Sequence, residues 1–194
     1  MSNDGVNTSR RTFLIGLTSG VAAVGAVGVA VPFVKSWQPS ARAKNAGAPV
    51  KIDISKLDPG AMTTVEWRGK PIWVLRRTDD QLASLDKLTD ELKDPDNSMD
   101  QQPEYAKNQY RAIKPEYLVV EGVCTHLGCA PIYHEEQTVE LSYGGFFCPC
   151  HGSKFDIAGR VYKGVPAPSN LPVPPHSYLS DVVVIIGSEE GETA

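Results

Sequence analysis

Residues 13–34 carry no charged side chain, and that uninterrupted apolar run stands apart from everything after it. As a helix its 22 residues would reach about 33 Å, against about 30 Å of bilayer hydrocarbon. Pro32 lies near the end of the run, where a helix stops cheaply, and Lys35 and Trp37 follow as interface anchors. The pattern predicts a membrane anchor over 13–35 behind a short N-terminus, 1–12. A cleaved signal peptide is the alternative, because residues 40–43 (Ser-Ala-Arg-Ala) offer a small-x-small site. Against it, the apolar core of a signal peptide usually runs only about 7–15 residues. Gly16, Gly20, Val24 and Gly28 recur every four residues. They form a stripe on which another transmembrane helix could pack closely, or they merely keep the run weakly hydrophobic.

Beyond the run the pattern changes. Residues 36–49 (SWQPSARAKNAGAP) have no apolar period and read as a linker, flexible at Gly47 and stiffened by proline. The body, 50–194, begins with strand signals: 63–67, a turn at Arg68-Gly69-Lys70, and 71–75 predict a hairpin. Leu82, Leu85, Leu88 and Leu92 are spaced for one face of a helix over 82–93, and a second short helix is expected before Tyr117. Residues 117–121 and 138–142 read as strands, and 181–186 as a buried one. The body is therefore expected to be mainly β with a helical insertion at roughly 79–113.

Charge sharpens the division. The 194 residues have a formal net charge of −4, but residues 1–44 hold five basic side chains and a single acid, Asp4. The remainder then carries 14 basic against 22 acidic residues, a net of −8, which excludes a nucleic-acid-gripping face. Arg10-Arg11 followed by Thr12, Phe13 and Leu14 matches a twin-arginine export signal. The flanks of the anchor are equally basic, so the export signal decides orientation: N-terminus in the cytoplasm, body outside.

All four cysteines fall in two short blocks, Cys124-Thr125-His126-Leu127-Gly128-Cys129 and Cys148-Pro149-Cys150-His151-Gly152-Ser153. Each supplies two cysteines and one histidine, more donors than one common metal ion uses, so two cysteines and two histidines at a metal centre leave two cysteines for another task. Four thiolates on a plant-type cluster would need a different spacing and leave the histidines idle. A Cys2His2 zinc site and two structural disulfides are further readings. The fourth is a Rieske [2Fe–2S] centre, two Cys on one iron and two His on the other, for which Cys-x-His and Cys-x-x-His are the spacings.

Those blocks resemble the ones in the Rieske iron–sulfur subunit of ubiquinol–cytochrome c oxidoreductase, the cytochrome bc1 complex. The resemblance covers nearly the whole chain: export signal, anchor, linker, the VEWRGKPIWVLRRT hairpin, both blocks and the GVPAPSNLPVP segment. It implies a Rieske-type antiparallel β-sandwich with a small cluster-binding part at about 118–170, and one [2Fe–2S] cluster held by Cys124, His126, Cys148 and His151. Cys129 and Cys150 then pair as a disulfide, in keeping with an exported body. Ser153 matches a serine that donates to a bridging sulfide, with Leu127 also beside the cluster. Phe155 stands where many relatives have a tyrosine that reaches a cysteine sulfur, so the resemblance implies a potential in the upper Rieske range but below theirs. Gly164-Val165-Pro166-Ala167-Pro168 has one residue more than the family's Gly-Pro-Ala-Pro stretch. His134 and His176 read as ordinary polar residues.

The function so implied is electron transfer in a bacterial inner membrane. His151 would contact ubiquinol and take its first electron and proton, and the body would swing on its linker to a c-type cytochrome. Cytochrome b, the c-type cytochrome, ubiquinol and a dimeric complex are the expected partners. The Rieske subunit of an exported oxidase such as arsenite oxidase is the alternative. It shares the signal and the blocks but needs neither the 79–113 insertion nor a lasting anchor.

Overall fold

The computed structural model describes residue 5 and residues 7–41 and 47–188, and the chain divides into two units, 1–45 and 46–194. The expected linker thus lies partly outside the described residues, at 42–46. The first unit is helix α1 (Thr8–Ser36), 29 residues long and apolar enough to cross a membrane. Asn7 caps it by accepting the Arg10 N–H at 3.1 Å. Three of its hydroxyls bond back to the helix: Thr12 Oγ1 donates to the Thr8 carbonyl at 3.0 Å, Thr18 Oγ1 to the Leu14 carbonyl at 2.8 Å and Ser36 Oγ to the Phe33 carbonyl at 2.6 Å. Satisfying polar groups within the helix is what an apolar surrounding demands. The helix begins ahead of the uncharged run, so Arg10 and Arg11 lie in its first turn.

The second unit is built from three three-stranded antiparallel sheets, and among the described residues none closes into a barrel. The central one pairs β2 (Met62–Trp67), β3 (Lys70–Arg76) and β4 (Tyr117–Glu121). Arg68 and Gly69 join its first two strands with φ of 51° and 74°, the two positive values that a tight, right-twisted hairpin requires. This sheet is buried on both faces. Ile72, Val74, Tyr117 and Val119 face Ile52, Ile54, Val184 and Ile186, from and beside β1 (Val50–Asp53) and β9 (Val183–Ile186). Trp73, Leu75, Leu118 and Val120 point the other way, toward the insertion and the cysteine blocks. Burial on both sides explains why β3 and β4 read as continuous apolar runs.

Three expectations are corrected. The leucine run is only briefly α-helical: α2 (Asp79–Ser84), with a Thr78/Gln81 capping box, gives way to a 3₁₀ turn at Leu85–Glu91. Leu82, Leu85 and Leu88 are spaced by three, the 3₁₀ period, and Leu85 and Leu88 are buried on it. The second short helix is a single 3₁₀ turn, Glu104–Ala106. Residues 138–142 are no strand. Thr138 Oγ1 accepts the Glu140 and Leu141 N–H groups at 3.2 and 3.1 Å, and its side chain outcompetes a ladder. Strand β8 (His176–Ser180) was not anticipated behind its prolines; it edges β9. His176 on it is 1% exposed.

Candidate metal centre

The first block follows directly from β4. The second sits at the tip of a hairpin between β6 (Gly145–Cys148) and β7 (Ser153–Phe155), which with β5 (Ile132–His134) makes the third sheet. The two tips are built alike. The Gly128 N–H donates to the Cys124 carbonyl at 3.0 Å, and the Gly152 N–H donates to the Cys148 carbonyl at the same distance. Both glycines sit at positive φ, 83° and 73°. A cysteine followed four residues on by a left-handed glycine thus makes each turn, a Cys-x-x-x-Gly signal that the sequence carries twice.

These turns meet. A disulfide joins Cys129 to Cys150. Cys124 and Cys148 are free thiols, 2% and 1% exposed. The imidazoles of His126 and His151 stand edge to face, with centroids 4.7 Å apart. His151 is exposed at the tip of its turn, and Leu127, next to His126 in the chain, is 72% exposed. The sulfurs of Cys129, Cys148 and Cys150 lie within 4.8 Å of one another, but the disulfide takes two of them out of the donor set.

Burial pushes the Cys124 thiol up, and the Cys148 sulfur in hydrogen-bond contact adds to this. The His126 N–H and the Ser153 hydroxyl act in the opposite sense by donating to the same sulfur. Two buried thiols side by side become thiolates together only if a cation compensates them. Nδ1 of His126 is buried with no hydrogen-bond partner, a lone pair or proton left without an assignment. Both facts fit a metal centre: two buried thiols that need a cation to become thiolates, and a buried imidazole nitrogen left without a partner.

Around this place the walls are specific. Ser153 is fully buried, and its Oγ accepts the Ala167 N–H at 3.0 Å. Thr125 Oγ1 donates to the Ser169 carbonyl at 2.7 Å, joining the first turn to the proline-rich segment. Phe155 is fully buried in the same core as Cys124 and Cys148 and brings no hydroxyl to it.

Comparison with known proteins decides the lineage. The iron–sulfur subunit of ubiquinol–cytochrome c reductase from Allochromatium vinosum is 54% identical over 195 residues, 98% of this chain and 94% of that protein. The chain belongs to this family. Its counterpart in Blastochloris viridis is 43% identical over 96% of this chain and 97% of that one. The Rieske [2Fe–2S] domain family matches residues 91–175. The family described as the ubiquitinol–cytochrome c reductase Fe–S subunit TAT signal matches residues 1–40. Among solved structures, a chain of a hyperthermophilic respiratory Complex III overlays with a TM-score of 0.49 at 24% identity, covering 87% of this chain and 97% of that one. As a ubiquinol–cytochrome c reductase iron–sulfur subunit, the chain carries one Rieske [2Fe–2S] cluster. Its export signal and apolar helix are those of a membrane-anchored bacterial subunit.

Proposed function

We propose that this chain is the electron-carrying subunit of a bacterial ubiquinol–cytochrome c reductase, with Cys124, His126, Cys148 and His151 as the four ligands of its cluster. What carries the reading is the meeting of the two turns: two buried free thiols, and two imidazoles in ring contact, held by the Cys129–Cys150 bond.

When bound, a cluster ligated by two imidazoles supplies a one-electron acceptor at roughly −150 to +300 mV, against about −400 mV for all-thiolate plant-type clusters. The chain's own residues determine how it is used. Cys124 and Cys148 lie at the buried end, shielded from water, and His151 at the exposed end is the residue a substrate reaches. As a ligand through one ring nitrogen, exposed His151 would have the other free to accept a hydrogen bond from a ubiquinol hydroxyl and then its proton. A metal-bound imidazole holds that proton less tightly when the metal is oxidised, so proton and electron uptake are linked. Leu127 adds apolar surface to the same tip. Ser153 donates toward the buried sulfur and stabilises the added negative charge.

In this reading the first electron and proton of ubiquinol come to this subunit and the second electron goes to the haems of cytochrome b. The electron then passes to the c-type cytochrome of a dimeric complex. The N-terminus lies in the cytoplasm, α1 spans the inner membrane once, and the body stands in the periplasm on its linker. Purification from solubilised membranes tests this. Haems of the b and c types should co-purify with the chain, which should hold about two irons and two acid-labile sulfides. Stoichiometric zinc without sulfide would end the reading.

A further inference from the structure

The proline-rich segment is fastened to the 79–113 insertion and to the first turn almost residue by residue. Ser169 is held by Thr125, and Asn170 donates to the Asp94 carbonyl at 3.1 Å and to Asn97 Oδ1 at 3.2 Å. The Leu171 carbonyl accepts from the fully buried Arg111 at 2.6 Å, and the Val173 N–H donates to the Gln101 carbonyl at 2.8 Å. The arc nearest the thiols, 164–168, is different. Pro166 and Pro168 have no N–H, so Ala167 supplies the one backbone donor of 166–168, and that donor is spent on Ser153 Oγ.

Lys93 closes the other side of this arc. Its Nζ donates to the Ala167 carbonyl at 2.8 Å and to the Val165 carbonyl at 3.4 Å, spanning the Pro166–Ala167 peptide. The backbone of Lys93 is itself anchored. Leu92 is 1% exposed and bridges to Tyr162, and the Lys93 N–H donates to the Val161 carbonyl at 2.9 Å. A serine hydroxyl has two lone pairs and a single proton. With one lone pair occupied by the Ala167 N–H, the proton is left for sulfur.

We propose that Lys93 is a positioning residue for the redox centre: by gripping the Val165 and Ala167 carbonyls it keeps the Ala167 N–H on Ser153, and so keeps the Ser153 hydroxyl aimed at the Cys124 sulfur. This role rests on the reading of Cys124 as a cluster ligand. It gives the insertion a redox task, since a lysine 60 residues before Ser153 in the chain sets the direction of a hydroxyl proton. Loss of Lys93 leaves the rest of the segment fastened by Thr125, Asn170 and Arg111, so the fold survives the substitution.

The test is the midpoint potential of the centre in the purified complex, titrated by EPR or circular dichroism for Ser153→Ala, Lys93→Met, Lys93→Arg and the double variant Lys93→Met/Ser153→Ala. Ser153→Ala should lower the potential. Lys93→Met should lower it by less, Lys93→Arg should keep it near that of the unaltered chain, and Lys93→Met should add nothing once Ser153 is gone. A lowered potential in Ser153→Ala with none in Lys93→Met overturns the role of Lys93 alone. An equal downshift from Lys93→Met with and without Ser153 also overturns it, because the charge would then act directly. An unchanged potential in Ser153→Ala means that its hydroxyl does not tune the centre and overturns the role of Lys93, whereas the ligand reading of Cys124 fails separately, on iron and sulfide content that Cys124→Ala leaves intact.

Discussion

Cys129 is bonded to Cys150, 21 residues further along the chain, and this bond is the covalent tie between the two turns that carry the candidate ligands. Closing a loop of that length removes enough freedom from the unfolded chain to stabilise the fold by about 3 kcal/mol. Cys129→Ser should therefore keep its ligands but hold iron weakly, losing it on mild heating and oxidising quinol only in part. His151→Ser should abolish quinol oxidation altogether. Iron and sulfide analysis before and after a heat step separates the two. Equal and complete loss of iron at normal chain levels in both variants would make Cys129 a ligand.

Phe155 and Ser153 test the hydrogen bonds around the thiols. Phe155 pairs with Phe146 across β6 and β7, fully buried in the core that holds Cys124 and Cys148. A tyrosine hydroxyl placed there must find a buried partner, and a sulfur would serve. Phe155→Tyr should raise the midpoint potential and Ser153→Ala lower it. The scale is on the order of 60 mV for each 1.4 kcal/mol of hydrogen bonding gained by the reduced form. If neither moves the potential, hydrogen bonding does not tune this centre.

The turn leaving β7 depends on a buried ion pair. Asp156 Oδ2 accepts from Arg160 Nε at 2.7 Å, with both side chains 3% exposed or less, while Oδ1 accepts the Ala158 and Arg160 N–H groups. Asp156→Ala strands a buried guanidinium and should cost about 3–5 kcal/mol in chemical denaturation. Asp181→Asn breaks the exposed pair with Lys114 and should leave the unfolding midpoint where it was.

His176 sets a pH dependence. Burial holds its imidazole below the ordinary value of 6.5, only partly opposed by its bond to the Pro174 carbonyl. The unfolded chain therefore takes up this proton at a higher pH than the folded one. The stability contributed by the neutral ring is complete above about pH 6.5 and is lost as pH falls through and below that value. Unfolding midpoints measured between pH 8 and pH 5 should show this loss. His176→Leu should flatten that part of the profile while lowering stability overall, since it leaves the Pro174 carbonyl unpaired.

The anchor makes a simpler prediction. Membranes washed with carbonate should retain the full-length chain, still starting near Met1. A soluble form beginning near Lys44 would show that residues 13–34 are removed as a signal.

Part of this molecule is written locally. An uncharged run of 22 residues is a helix wherever water is absent, because its backbone has no other partner. The hairpin turn at Arg68-Gly69 and the apolar stretches of β3 and β4 were legible for the same kind of reason. So were the two blocks, since iron and sulfur chemistry asks for particular donors at short spacings. Other features misled by that same locality. Leu82, Leu85, Leu88 and Leu92 suit an α-helical face locally, but the spacing by three of the first three is the 3₁₀ period, and alternation at 138–142 is outweighed by one threonine hydroxyl.

What the sequence determined by itself was therefore the inventory: an anchor, a β-rich body, two thiol-and-imidazole turns and the family they belong to. Only the tertiary structure decided which of these groups share space. The edge-to-face meeting of His126 and His151, the orphaned Nδ1 of His126 and the grip of Lys93 on Ala167, 74 residues away, depend on the central sheet burying both of its faces. One face takes β1 and β9, and the other takes the insertion and both turns together. Spacing along a chain is covalent and can be read from it. Proximity across a core is the outcome of burying apolar surface from every element at once, and no single segment encodes it.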